Sequence, residues 1–184
     1  VVKNQCRVVR GLVTLASEML SPGHVKVWRG EIILSTDELS KTIAQLFEKS
    51  GIRTKTSSTF AQEIWRKCII NSIINPLTAI LQVQNNEIST PELAWIRHSI
   101  GRESIAVGTA EGIDFEADLI NFIEEIVPKY TNRSSMCQDI QRGRPTEIEF
   151  INGRIVELGK EHGIPTPINK CLTQLVRFLE ARSY

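Results

Sequence analysis

Apolar and polar positions divide the chain into two stretches with different periods. Residues 8–16 and 25–34 are dense in β-branched side chains, and Ser21-Pro22-Gly23 marks a turn between them, which predicts a pair of strands. At Ser35 the pattern changes. Glu38 follows at the spacing of a capping box, and Leu39, Ile43, Leu46 and Phe47 outline one apolar helix face. Gly51 stops that helix, and residues 52–56 read as one more short strand.

From Ser58 onward the period is helical. Residues 59–83 predict a long helix carrying Ile64, Cys68, Ile69, Ile73, Ile74, Leu77, Ile80 and Leu81. A second helix is expected over 91–112 and a third over 115–126. Ser134 or Ser135 caps a short fourth. Pro145, suited to a first helical turn, opens a fifth that ends near His162, and the last runs from Pro167 to the C-terminus. The expected fold class is mostly α: an all-α domain over 58–184, preceded by a partial α/β piece over 1–57. Two or three strands with one helix bury little area, so that piece reads as the closing half of a larger sheet.

Composition narrows the possibilities. The 184 residues suffice for one ordinary domain, or a domain plus a fragment, and 41% apolar with 23% charged residues excludes a disordered chain. The longest nearly uncharged stretch, 68–86, is broken by Asn71, Asn75, Pro76, Gln82 and Gln84, so it reads as a buried helix rather than a membrane span. No secretory leader is expected, because a basic segment followed by an apolar run is missing from the N-terminal residues. Lys plus Arg (22) nearly balance Asp plus Glu (21) without a basic cluster, which argues against a nucleic-acid partner. Cys6, Cys68, Cys137 and Cys171 are scattered, as are His24, His98 and His162. No disulfide scaffold or metal site is expected, and a cytoplasmic setting follows.

Two constellations carry chemistry. Lys67, Asn71 and Asn75 are spaced i, i+4, i+8, which puts them along one face of a largely apolar helix. The spacing alone fits a solvent-facing edge equally well. Asn, however, is a poor helix-interior residue, and Asn75 precedes a proline that disfavours helical backbone there. Amides placed against those preferences point to a role in binding, and a lysine beside them suits holding and protonating a carbonyl oxygen. The second constellation runs from Asn132-Arg133-Ser134-Ser135 through Asp139 to Arg142-Gly143-Arg144-Pro145-Thr146-Glu147. Here structural roles are the favoured reading and a part in binding stays open: the serines suit caps, the helix dipole favours Glu147, and Asp139 with Arg142 fits a surface pair worth little.

The blocks WRKCIINSIINPLTAI (from Trp65), NNE (Asn85–Glu87 by position), SSMCQDI (from Ser134), GRPTEIEFINGRI (from Gly143) and HGIPTPIN (from His162), in this order, resemble the ketopantoate reductase (2-dehydropantoate 2-reductase) family. They span the whole helical part. Residues from Gly11 through Pro22-Gly23 to Leu34 resemble the end of that family's nucleotide-binding domain.

The resemblance implies a Rossmann-type domain packed on a C-terminal helical domain of the 6-phosphogluconate-dehydrogenase kind, with the active site in the cleft between. It implies that Lys67 is the catalytic proton donor, with Glu147 beside it and beside the cofactor. It implies that Asn71, Asn75, Asn85, Asn132 and Ser135 bind substrate. The implied reaction is NADPH-dependent reduction of 2-dehydropantoate to pantoate, in coenzyme A biosynthesis, by a homodimer. Three departures stand out. The glycine often found after Asn85 is Asn86, Ser17 falls where the family commonly has alanine at a cofactor contact, and no GxGxxG cradle occurs in the chain. A family asparagine that contacts both ligands would precede Val1. The expectation is therefore a truncated enzyme, inactive alone. A non-catalytic self-association module, or a reductase of another 2-oxo acid, stays open.

Overall fold

The structure, a computed structural model, describes residues 7–15, 17–27, 30–115 and 118–182. Cys6, the end of the first expected strand at Ala16, residues 28–29 within the second, residues 116–117 near the start of the expected third helix, and the last two residues of the expected final helix lie outside the described part. The chain divides into two compact units, one ending at Ile64 and one beginning at Trp65.

The first unit holds β1 (Gly11–Val13), β2 (Ser17–Ser21), β3 (His24–Val27), β4 (Ile32–Ser35), α1 (Glu38–Lys49) and β5 (Thr54–Ser57). A three-stranded sheet has the order β1-β4-β5, with β1 antiparallel and β5 parallel to the central β4. Neighbouring Ile33 and Leu34 point to opposite faces of β4 and are both buried, so the central strand is covered on both sides. The two expected strands thus form four. Pairing of β1 with β4 ends where Gly30 lies against the Thr14–Leu15 backbone, so closely that a Cβ would stand 2.6 Å from the Leu15 nitrogen. The intervening residues turn back as a separate β2–β3 hairpin, with Gly23 at φ 79° in its turn.

The cap of α1 is Asp37, not Ser35. The Asp37 carboxylate accepts from the Ser40 backbone N–H at 3.0 Å, and the Ser35 and Ser40 hydroxyls donate to its other oxygen at 2.5 Å each. These bonds, that from Ser35 foremost, hold the carboxyl well below the usual carboxylate range. Glu38 points outward to Lys41. The inward face of α1 is centred on Ser40 and Ala44, which leaves Leu46 exposed.

α2 (Phe60–Leu81) carries the chain into the second unit, which then contains α3 (Ala94–Ala110), α4 (Leu119–Ile126), α5 (Ser135–Gln141), α6 (Asn152–Glu161) and α7 (Pro167–Arg182), with single 3₁₀ turns between several of them. Every residue of α2 from Ser72 to Ala79 is buried, the pattern of a helix surrounded on all sides. Ile69, Ile73, Ile74 and Leu77 pack with Ile88, Ile100, Leu119, Ile123, Val127 and Leu172. Ala79 packs with Met136, Ile148, Ile151 and Val176. The architecture is mostly α with a partial α/β piece.

One expected helix is displaced. Pro145 opens no helix: the chain passes through a 3₁₀ turn at Ile148–Phe150, and α6 starts at Asn152. The Thr146 N–H donates to Glu180 of α7 at 2.6 Å, and its hydroxyl accepts from the Ile148 N–H, so the segment is tied down without helical geometry. Glu147 is therefore an exposed residue before the 3₁₀ turn, not part of a helix's first turn.

Candidate active site

α2 presents Lys67 and Asn71 half-buried and Asn75 buried at 5% exposure, so the stripe is no simple solvent edge. Burial pushes the Lys67 ammonium below the ordinary lysine value, and the carboxylate of Glu147 pulls it back up. Those two residues, 80 positions apart, share one electrostatic environment. Asp139 shares it too: burial, the larger cause, and Glu147 raise its pKa, while Arg144 and Arg142 oppose them. Asp139 is half-buried, and Arg142 is the smallest of these influences on it.

One turn beyond Asn75, the Thr78 hydroxyl lies 2.7 Å from that of Ser134. Thr78 also bonds the Ile74 carbonyl at 2.8 Å, as β-hydroxyl residues in helices do. With the Thr78 hydrogen spent there, Ser134 becomes the donor between the two hydroxyls. Ser134 caps α5 by accepting from the Cys137 N–H at 3.0 Å, which places Ser135 at the exposed first position of that helix. The cap is settled as Ser134.

Beyond α2 the chain reverses at Gln82, a non-glycine residue at φ 59°. The Arg133 guanidinium donates to the Gln82 carbonyl at 3.0 Å, and Gln141 donates to the Gln82 side chain at 3.1 Å. The Asn85 N–H donates to the Asn132 carbonyl at 3.0 Å, and the Asn86 N–H to that of Tyr130 at 2.9 Å. Asn85 is buried, and its side-chain oxygen meets no hydrogen-bond donor among the described residues. A buried amide oxygen left this way costs free energy unless a ligand or water satisfies it. Asn132 spends its side-chain amide on the Arg133 carbonyl at 3.1 Å.

The structure thus gathers Asn75, Asn85, Asn132 and Ser135 around the C-terminal half of α2, and Lys67 with Glu147 toward its N-terminal half. Ser17 lies in the other unit, exposed at the first position of β2. Neither Thr78 nor Asn152 stands out in the sequence, and Asp139 reads there only as a surface partner of Arg142. Asn152 lies in a pattern that reads as an ordinary helix, and only its full burial sets it apart. Among the described residues no group of His, Cys, Asp and Glu forms a metal-ligating cluster, and no helix is long and apolar enough to cross a membrane.

The family description "Ketopantoate reductase PanE/ApbA C terminal" matches residues 59–180. The chain belongs to the ketopantoate reductase family. The 2-dehydropantoate 2-reductase of Archaeoglobus fulgidus is 34% identical over 186 residues, covering 96% of this chain and 62% of the relative. That of Vibrio cholerae is 40% identical over 140 residues, covering 75% of this chain and 47% of the relative. The chain therefore spans less than two thirds of these ketopantoate reductases. A solved ketopantoate reductase from Ralstonia eutropha superimposes with a TM-score of 0.87 at 32% identity, over 95% of this chain and 60% of that one. A D-mandelate dehydrogenase solved with NADH and anilino(oxo)acetate gives 0.85 at 30% identity, over 93% of this chain and 59% of that one. The likeness covers the helical part and the partial Rossmann-like piece before it.

Proposed function

We propose that this chain is the substrate-binding part of an NADPH-dependent reductase that converts 2-dehydropantoate to pantoate, on the way to coenzyme A. The observation that carries the reading is Lys67: half-buried, below the ordinary lysine pKa, coupled to Glu147 and on one helix face with Asn71 and Asn75. Residues 58–184 would form the catalytic helical domain and 1–57 the end of the dinucleotide-binding domain. A homodimer in the cytoplasm is part of the same reading.

Lys67 hydrogen-bonds the C2 oxygen, stabilises the charge that develops on it and delivers a proton to it. Glu147 favours the protonated lysine, so that the proton is present when needed. Asn71, Asn75, Asn85, Asn132 and Ser135 hold the hydroxyl and carboxylate of the substrate; the unsatisfied Asn85 oxygen is an acceptor ready for its hydroxyl. The cofactor contacts implied by the family, Glu147 in the second unit and Ser17 in the first, each carry an exposed side chain, and the sequence holds no GxGxxG motif. The nicotinamide supplies the hydride when bound.

The likeness to D-mandelate dehydrogenase supports a second reading, in which the same stripe receives an aryl 2-oxo acid. Steady-state kinetics decides, on a protein with a relative's nucleotide-binding half fused ahead of Val1. The first reading expects kcat/KM for 2-dehydropantoate to exceed that for phenylglyoxylate, and NADPH to be preferred over NADH. A preference for the aryl acid would overturn it. Lys67→Ala is expected to lower kcat by about 10² to 10³. Retention of more than about half the wild-type kcat would remove Lys67 from the mechanism.

A further inference from the structure

Pro76 lies inside α2. In an α-helix the Ser72 carbonyl accepts from the N–H four residues on, and that residue is the proline, which has none. Ser72 is fully buried, so water cannot serve its carbonyl instead. The missing donor arrives from α6: the Asn152 Nδ2 donates to the Ser72 oxygen at 2.9 Å. Asn152 is itself fully buried, and its second hydrogen goes to the Asn169 Oδ1 at 2.9 Å. Asn169 donates in turn to Glu103 at 2.7 Å, and both Glu103 oxygens accept from the first turn of α7, the Ile168 and Asn169 N–H groups, at 2.9 Å each. The chemistry permits one orientation of both amides. A carbonyl can only accept, so the Asn152 nitrogen must face Ser72, and the Asn169 oxygen must then face Asn152.

The repaired peptide sits between the two asparagines of the stripe, one residue after Asn71 and three before Asn75. We infer that Asn152 is a positioning residue for the active-site face of α2, holding the Asn71–Asn75 segment in place by supplying the hydrogen bond that Pro76 removes. The functional part of this inference rests on the proposed substrate site. The proline itself suits that site, because it frees the turn from the regular ladder and lets a residue outside the helix set its geometry.

A cycle of variants tests the inference on the full chain. Pro76→Ala restores an N–H at position 76, so it should make Asn152 dispensable. The readouts are the side-chain amide resonances of Asn71 and Asn75 in ¹⁵N-labelled protein, and the affinity for pantoate from chemical-shift titration. Asn152→Leu, near-isosteric but without a donor, is expected to shift both amides and to weaken pantoate binding about tenfold, the size of one unsatisfied buried group. In the Pro76→Ala background the same change should move neither amide and alter affinity less than about threefold. Leu158→Ala, a cavity on the same helix away from Ser72, controls for lost stability and should leave both readouts unchanged. An equal effect of Asn152→Leu in both backgrounds, or an equal effect of Leu158→Ala, overturns the inference. Should Asn152→Leu alone fail to fold, a folded double variant supports it and an unfolded one overturns it. If the wild-type chain does not bind pantoate, the substrate reading fails, while the amide resonances still decide the role of Asn152.

Discussion

The hydroxyl oxygens of Thr78 and Ser134 lie 2.7 Å apart, with neither residue more than 4% exposed. This one contact fixes the first turn of α5, and with it Ser135, to the turn of α2 that follows Asn75. Thr78→Val keeps the shape and removes the acceptor, leaving the Ser134 hydroxyl without its partner. A loss of about 1–2 kcal/mol is expected in urea unfolding, the cost of one buried unsatisfied hydroxyl. Ser134→Ala should cost a similar amount because it removes the cap as well. A change below about 0.5 kcal/mol for both would mean that the contact holds nothing.

Arg97, 3% exposed, joins α3 to Glu124 of α4 through two hydrogen bonds, and donates to the Ile88 and Thr90 carbonyls. The bond from Arg97 is the main reason the Glu124 carboxyl lies below its ordinary value of 4.5. The unfolded chain therefore binds its proton more readily. The stability this provides is complete above pH 4.5 and is lost as the pH falls through the lowered folded value. Glu124→Gln should flatten that part of the acid limb in a plot of unfolding free energy against pH. Arg97→Met leaves the carboxylate only His98, at 3.4 Å, and strands two carbonyls, so a loss of about 3 kcal/mol at neutral pH is expected. An unchanged acid limb in Glu124→Gln would refute the assignment.

Gly108 marks a close approach in the helical unit. A Cβ there would stand 2.6 Å from the tip of the Phe115 ring and 3.0 Å from the Trp65 ring. At Gly101 the tight neighbour, at 2.5 Å, is the terminal methyl of Ile120, which can rotate away. Both substitutions to alanine gain about 1 kcal/mol of helix propensity. Only Gly108→Ala must displace a rigid ring, so it should be net destabilising by about 1 kcal/mol or more, and Gly101→Ala close to neutral. Thermal unfolding of the two variants would disprove the contrast if their midpoints coincided.

The order of helices was legible from periodicity because α2, α3 and α7 are long and bury apolar residues at helical spacing. The capping residues were less so: Ser35 and Asp37 are both good caps, and only the Ser40 N–H chooses between them. The helix expected after Pro145 failed because the Thr146 N–H finds Glu180, a partner 34 positions away that no local pattern signals. The stripe Lys67, Asn71, Asn75 could be read from spacing, and the remaining candidate residues only through family resemblance. Asn152 was not legible at all. Its task depends on a carbonyl orphaned by a proline in another helix, and both facts must be seen together.

Glu147 acts on two neighbours at once, which gives a test of the site without any ligand. Its negative charge raises the pKa of Lys67 against the effect of burial, and raises that of Asp139 in the same sense as burial. Glu147→Gln removes the charge and nearly preserves the shape, so both groups should release their protons at lower pH. NMR titration of the Lys67 side-chain carbon next to Nζ and of the Asp139 carboxyl carbon reads both shifts in one sample series. Arg144→Gln provides the opposite sign at Asp139, because Arg144 is the main cation lowering that carboxyl. Glu147 is exposed, so the effect on Lys67 should shrink as salt is raised, with a screening length of about 10 Å at 0.1 M. In the fusion protein that tests the proposed activity, the same change should move the basic limb of the pH–rate profile to lower pH, because a less basic lysine loses its proton sooner. If neither Lys67 nor Asp139 moved at low salt, Glu147 would not be part of the electrostatics of the site, and the proposed proton-donor role of Lys67 would have to stand without it.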